Sequence, residues 1–334
     1  MEYRVLGRTG VQVSNLCLGT MTFGREADPE VSAAIFKRCR DVGINFFDTA
    51  NVYSAGRSEE ILGSLIAGCR DEIVLTSKVA ISTGPDVNAG GLSRRHIMLA
   101  VEASLRRLGT DRLDLYFVHV FDPRTPMDET LRALDDLVRQ GKILYPAVSN
   151  WAAWQIATAL GVSRSEGLAR FECVQPMYNL VKRQAEVEIL PLAQAERLGV
   201  ICYSPMGAGL LTGKYSTTRK PDGARIVEDS MYSKRYGDPV NFEIAERFTE
   251  HARERGVEPA PLALAWVMSH PAITAPIVGA RNLEQLESSL QALDIVMTPE
   301  WRADISALSI EPPSPTDRTE EKAGVFYAGS KARH

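Results

Sequence analysis

Short apolar runs alternate along this chain with longer stretches in which apolar residues recur every three or four positions. The first pattern is that of strands and the second that of amphipathic helices. Residues 3–6 and 11–13 flank Gly7-Arg8-Thr9-Gly10, which predicts a hairpin. A short strand follows at 16–18 and ends at Gly19. Asp28 before Pro29 predicts a capped helix start, with the helix running to about residue 42. Further strands fall at 46–48, 73–78, 113–119, 145–149, 173–175, 200–203 and 273–278. Helical stretches are read at 58–67, 93–108, 127–140, 151–160, 187–198, 242–255, 261–268 and 283–293. A glycine-rich, charged loop fills 205–240.

Apart from the hairpin, this order makes eight strands, each followed by a helix. Alternating βα units predict a parallel sheet. Eight of them in 334 residues predict a closed (β/α)8 barrel rather than a doubly wound sheet. The doubly wound dinucleotide fold would need G-x-G-x-x-G after its first strand. Leu18-Gly19-Thr20-Met21-Thr22-Phe23-Gly24 does not fit that pattern. No linker composition interrupts the chain, so residues 1–310 read as one barrel. Residues 311–334 shift to Pro, Ser, Lys and Glu and read as a loosely held tail.

Composition narrows the function. Hydrophobic residues make up 45% and charged residues 24%, which excludes disordered, collagenous and coiled-coil chains. Lys and Arg total 38 against 42 Asp and Glu, a net charge of −4. With no basic excess to neutralise phosphates, nucleic acid is not an expected partner. A local phosphate pocket needs only two or three basic groups and stays open. No apolar run reaches the ~18 residues of a membrane span. The first seven residues have no cationic start followed by an apolar core, so no secretory signal is expected. Cys17, Cys39, Cys69, Cys173 and Cys202 are scattered, without a C-x-x-C pair. They predict reduced, buried thiols in a cytoplasmic protein, and the five histidines lack H-x-x-x-H spacing for a metal.

A barrel of this type carries its chemistry at the C-terminal ends of its strands. Those ends here are Asp48, Lys78, His119, Ser149-Asn150, Gln175, Tyr203-Ser204 and Gly279-Ala280-Arg281. Tyr53 lies five residues after Asp48, close enough to return over the same rim. Taken singly, each has an ordinary reading as a loop cap, core group or surface charge. Together Asp48, Tyr53, Lys78 and His119 form a proton-transfer set. A phenol is a poor acid at neutral pH, and a neighbouring ammonium is expected to lower its pKa. Such a set suits protonating a carbonyl oxygen as hydride reaches the carbon. No side chain can supply hydride, so a nicotinamide or flavin is implied. Ser149, Asn150 and Gln175 offer groups for a carboxamide, and Tyr203 offers a face for stacking. Phe23, Phe121, Trp151, Asp122 and Arg124 are candidates to face a substrate; the aromatics favour an apolar or aryl group, the charged pair something more polar.

These residues resemble the aldo-keto reductase family over roughly residues 1–295. The resemblance is carried by the run Gly43-Ile44-Asn45-Phe46-Phe47-Asp48-Thr49-Ala50-Asn51-Val52-Tyr53 with Gly56-Arg57-Ser58-Glu59. Lys78, Leu113-Asp114-Leu115-Tyr116-Phe117-Val118-His119, Val148-Ser149-Asn150, Tyr203-Ser204-Pro205 and Gly279-Ala280-Arg281 extend it. The resemblance implies a (β/α)8 barrel that reduces carbonyls with NADP(H), its bottom closed by the hairpin. It implies Tyr53 as general acid, tuned by Lys78 and Asp48, with His119 orienting the carbonyl. It implies cofactor contacts at Gly19, Thr20, Met21, Ser149, Asn150, Gln175 and Tyr203. Ser204, Pro205, Gly207, Leu210 and Lys214 lie in a stretch similar to the pyrophosphate cover of the bacterial, potassium-channel-β-like branch. Gly279, Arg281, Gln285 and Ser289 match the adenosine-phosphate site. That branch usually ends its last motif Gln-Leu-x-Glu-Asn, whereas this chain has Gln285-Leu286-Glu287-Ser288-Ser289. The function implied is reduction of an aldehyde or ketone, or the reverse reaction. The alternative is a cofactor-sensing regulatory subunit with slow turnover, as in the channel-β-like relatives.

Overall fold

The structure is a computed structural model and describes residues 1–219, 221 and 225–316. The hairpin is β1 (Tyr3–Val5) and β2 (Gln12–Ser14), paired antiparallel. Eight further strands follow: β3 (Cys17–Gly19), β4 (Phe46–Asp48), β5 (Val74–Val79), β6 (Leu113–Val118), β7 (Ile143–Ser149), β8 (Cys173–Gln175), β9 (Gly199–Cys202) and β10 (Ala275–Val278). They close into a barrel in chain order, β10 returning to pair with β3, and every pairing is parallel. The closed eight-stranded barrel expected from the βα alternation is the fold.

The connecting helices are α1 (Pro29–Asp41), α2 (Arg57–Ile66), α3 (Arg94–Leu108), α4 (Met127–Arg139), α5 (Ala153–Glu166) and α6 (Ile189–Ala195). Then come α7 (Arg225–Glu228), α8 (Ser230–Tyr236), α9 (Pro239–Glu254), α10 (Pro259–Met268), α11 (Leu283–Leu290) and α12 (Pro299–Ala307). Local chemistry sets the ends. The Asp28 side chain accepts from the Val31 amide at the start of α1, with Pro29 at its first position. Ser93 caps α3, and Gly109 ends it in the left-handed conformation.

Two stretches differ from the expectation. Residues 205–240 are not all loop, because α7 and α8 lie within them. Tyr232 and Tyr236, four residues apart, are the buried face of α8, and Asp229 caps it. α12 stands between residues 293 and 311, where the apolar pattern predicts no element. Thr298 caps it ahead of Pro299, and Ile305 is its buried anchor. α8 sits within a charged stretch and α12 buries a single side chain, so neither shows a sustained apolar period. Of the tail read at 311–334, residues 317–334 lie outside the described residues.

Apolar side chains pack in two layers. A large outer cluster, including Leu18, Phe47, Leu75, Tyr116, Val118 and Val148, fills the space between barrel and helices. A smaller cluster fills the barrel and includes Cys17, Phe46, Val74, Leu115, Phe117, Ala147, Cys173, Ile201 and Ile277. Leu6 and Val13 of the hairpin belong to the inner cluster, so the hairpin plugs the barrel floor. The approach is tight: a Cβ on Gly7 would stand 2.6 Å from the Gly199 amide nitrogen.

Candidate active site

Side chains alternate along a strand, so one inward-facing residue sets the direction of the next but one. Cys17, Phe46, Phe117, Ala147, Cys173, Ile201 and Ile277 face the barrel interior. Two residues beyond them stand Gly19, Asp48, His119, Ser149, Gln175, Tyr203 and Gly279. Val74 on β5 gives Thr76 and then Lys78 by the same parity. The strand ends therefore converge on one rim.

Lys78 is fully buried, and its ammonium has three acceptors. Nζ donates to Asp48 Oδ2 at 2.5 Å, to the Thr49 carbonyl at 2.8 Å and to the Tyr53 hydroxyl at 3.3 Å. Asp48 Oδ1 accepts from Thr76 Oγ1 at 2.7 Å and from Gln175 Nε2 at 3.0 Å. The His119 ring meets Tyr53 edge-on, with centroids 6.0 Å apart. The tetrad read from the strand ends is thus assembled. Thr76 was not among the candidates, although its inward parity two residues before Lys78 could have found it.

The electrostatics differ from expectation at Tyr53. Burial raises its pKa above the ordinary phenol value; Lys78 pulls the other way and does not prevail. The expected lowering fails because desolvation of the phenolate, invisible in the sequence, outweighs one ammonium. The phenol stays protonated at neutral pH, the state a proton donor needs. Burial also works against the Lys78 ammonium, but Asp48 and Tyr53 hold its pKa above ordinary. Burial and then Lys78 push His119 down to about 3, so its imidazole is neutral.

A second polar set surrounds the tetrad. Ser149 Oγ donates to the Gln175 carbonyl at 2.9 Å. Asn150 Nδ2 donates to the His119 carbonyl and to Ser149 Oγ, and Tyr203 OH donates to Asn150 Oδ1 at 2.7 Å. Gln175 is engaged through its amide nitrogen with Asp48, which leaves its carbonyl oxygen as the free end. Thr20 is buried, and its hydroxyl lies 2.8 Å from Ser58 Oγ. At Gly19 a Cβ would meet Ile277 Cγ2 at 2.5 Å, so only glycine lets β3 and β10 approach here. Met21 beside them is half-buried.

The stretch after β9 turns sharply. Ser204, Gly207, Ala208 and Gly209 all have positive φ, and Pro205 and Leu210 are buried. Lys214 is exposed and packs against Gly209. At the far end Gly279 is exposed, and Arg281 Nη2 lies 3.8 Å from Glu26 Oε1. Gln285 Oε1 accepts from the Arg281 amide at 3.1 Å. Ser289 is buried and turned back on its own helix, its hydroxyl donating to the Gln285 carbonyl at 2.9 Å.

The substrate candidates separate. Trp151 and Phe121 meet edge to face at 5.0 Å, and Trp151 meets Phe171 at 5.5 Å. Trp154, which was not a candidate, joins them 6.5 Å from Phe121 and is 64% exposed. Phe23 is fully buried in the outer core, so the structure does not bring its ring to the rim. Asp122 is also occupied. It accepts from the Leu92 and Arg124 amides, from Thr125 Oγ1 and from Arg124 Nε, and so braces the loop after β6. Among the described residues no His, Cys, Asp and Glu cluster could hold a metal.

This barrel, with an ionisable tetrad at the C-terminal ends of its strands, defines a class. The sequence matches the Aldo/keto reductase family over residues 15–310, and the chain belongs to that family. It is 39% identical over 316 residues to the uncharacterized oxidoreductase YrpG of Bacillus subtilis (strain 168), covering 90% of this chain and 93% of the relative. It is 36% identical over 325 residues to a probable voltage-gated potassium channel subunit beta of Oryza sativa subsp. japonica, covering 95% and 99%. It is 32% identical over 329 residues to versiconal hemiacetal acetate reductase of Aspergillus parasiticus, covering 90% and 94%. No helix among the described residues is long and apolar enough to cross a membrane.

Proposed function

We propose that this protein is an NADP(H)-linked oxidoreductase that reduces a small aldehyde or ketone to the alcohol, or runs the reverse reaction. The observation that carries this reading is the Lys78 ammonium held between Asp48 and the Tyr53 hydroxyl. The residues present fit a dinucleotide. Ser149, Asn150 and Gln175 carry amide and hydroxyl groups for a carboxamide, and Tyr203 has a ring for stacking. Backbone in the left-handed region at Gly207–Gly209 and the cations Lys214 and Arg281 suit phosphates. A bound nicotinamide would supply the hydride.

The chain's own residues do the rest. Tyr53 delivers its proton to the carbonyl oxygen, and Lys78 stabilises the phenolate left behind. Asp48, held by Thr76 and Gln175, keeps Lys78 charged and aimed. Neutral His119 orients the carbonyl oxygen by a hydrogen bond without competing for the proton. The substrate is a small carbonyl or alcohol, nucleic acid is not a partner, and the protein works in the cytoplasm. The test is a carbonyl screen of the purified protein with NADPH and with NADH, repeated on Tyr53→Phe. Turnover lost in the variant supports the reading; turnover retained across several substrates overturns it.

Similarity to the rice channel subunit favours a second reading, a cofactor-sensing subunit with slow turnover. Rapid turnover by protein that purifies without a partner would count against it.

A further inference from the structure

The helix that follows Tyr53 is docked by one face onto the end of α3. Gly56, Glu59 and Gly63 are spaced three and then four residues apart, so they share that face. At Gly63 a Cβ would stand 2.7 Å from backbone atoms of Arg107 and Leu108. At Gly56 it would stand 2.9 Å from Arg107 Cδ. Between the two glycines Glu59 is fully buried. Its Oε2 accepts from Arg107 Nε at 2.7 Å and Nη2 at 2.6 Å, and its Oε1 accepts from Ser77 Oγ at 2.5 Å. A carboxylate without solvent is tolerated only when paired in this way.

The contact closes a ring through β5. Ser77 faces outward to Glu59, while Lys78, the next residue, faces inward to Tyr53. One strand thus grips the segment 53–59 from both sides. Between its ends, Ser54, Ala55 and Gly56 have φ of 48°, 53° and 94°. Two successive non-glycine residues hold the left-handed region only when their surroundings impose it. The surroundings here are the Ser54 hydroxyl on the Phe23 carbonyl, at 2.9 Å, and the docked face of α2.

We propose that Arg107, on the outer helix layer, is a positioning residue that, through Glu59 and beneath Gly56, holds the left-handed turn placing the Tyr53 hydroxyl on the Lys78 ammonium. It touches none of the reacting groups. The inference rests on Tyr53 being the proton donor.

Arg107→Ala alone leaves Glu59 a buried carboxylate without its cation, so part of its effect would be lost stability. Adding Glu59→Gln removes the unpaired charge. The double variant is expected to recover most of the Tm that Arg107→Ala loses, yet to keep kcat about 10- to 100-fold below wild type. NADPH affinity, read by tryptophan quenching, is expected to stay within about twofold of wild type, since the cofactor contacts are elsewhere. Tyr53 ionisation is followed without cofactor, by ultraviolet difference absorbance against Tyr53→Phe. It is expected at higher pH than in wild type, because Lys78 no longer faces the phenol squarely. The proposal fails if the double variant keeps the wild-type kcat or if Tyr53 ionises at its wild-type pH. Tyr53→Phe in the same assay separates the two ideas. If that variant keeps the rate, the proton-donor reading falls and the absorbance titration alone judges Arg107. If it loses the rate and the Arg107 variants do not, only the positioning role falls.

Discussion

The Tyr53 hydroxyl lies 3.3 Å from the Lys78 ammonium; burial holds the phenol's pKa above its ordinary value, while Asp48 and Tyr53 keep the ammonium charged against the same burial. An acid that is protonated at neutral pH but faces a fixed cation can release its proton only when an acceptor arrives. Tyr53→Phe is therefore expected to lower reductase kcat by about 10²- to 10⁴-fold, with NADPH binding unchanged. Steady-state rates and fluorescence titration on the same preparation check both halves.

Lys78→Met has a different signature. It leaves Asp48 buried with hydrogen bonds from Thr76 and Gln175 but no cation. Breaking a buried pair from one side costs about 3–5 kcal/mol. Urea unfolding is expected to show a loss of that size, and Asp48→Asn added to Lys78→Met is expected to recover part of it without recovering activity.

The pH dependence follows from two shifts. Tyr53 sits above its ordinary pKa of 10, so reduction is expected to be steady through neutral pH and to fall only on the alkaline side of 10. Stability moves at the other end. His119 takes a proton in the folded state only near 3, whereas the unfolded chain takes one near 6.5. The unfolded state binds more protons between those values, so stability falls as pH drops through that window. His270, lowered to about 4, acts in the same direction. Urea midpoints from pH 7 to 4 test the slope, and His119→Gln is expected to flatten it.

The proposed function assigns the 2′-phosphate of NADP(H) to Arg281. Its guanidinium lies 3.8 Å from Glu26 Oε1, a long contact that a 2′-phosphate could displace. Arg281→Ala is expected to weaken NADPH about 10- to 100-fold and to leave NADH unchanged. Equal weakening of both cofactors would move the 2′-phosphate contact elsewhere.

The hairpin is expected to affect stability and not chemistry. Gly7 has φ of 54°, and a Cβ there would meet the backbone of Gly199, Arg197 and Glu172 within 3.0 Å. None of those atoms can rotate away. Gly7→Ala is expected to lower stability by about 3 kcal/mol, with kcat of the folded enzyme unchanged.

Much of this was legible along the chain. Eight apolar runs separated by helical periods determined the barrel, and Asp28-Pro29 and Ser93 marked helix starts through chemistry local to a few residues. α8 lies inside a glycine-rich, charged stretch and α12 buries Ile305 alone, so neither shows an apolar period along the chain. Asp122 read as a rim charge, yet its four hydrogen bonds brace a loop. Phe23 read as a rim aromatic and is core, because the chain folds back between Phe23 and Ala27.

Alternation is a property of each strand alone, so the order of residues suffices to say which side chains enter the barrel. Asp48, Lys78, His119, Gln175 and Tyr203 follow from that parity. Which of them meet depends on how the sheet closes. Gln175 donates to Asp48 across 127 residues of chain, since closing the sheet brings β8 opposite β4. The same closure partly buries Tyr53, and that desolvation sets the sign of its pKa shift. Periodicity is local, whereas desolvation and convergence depend on every strand at once.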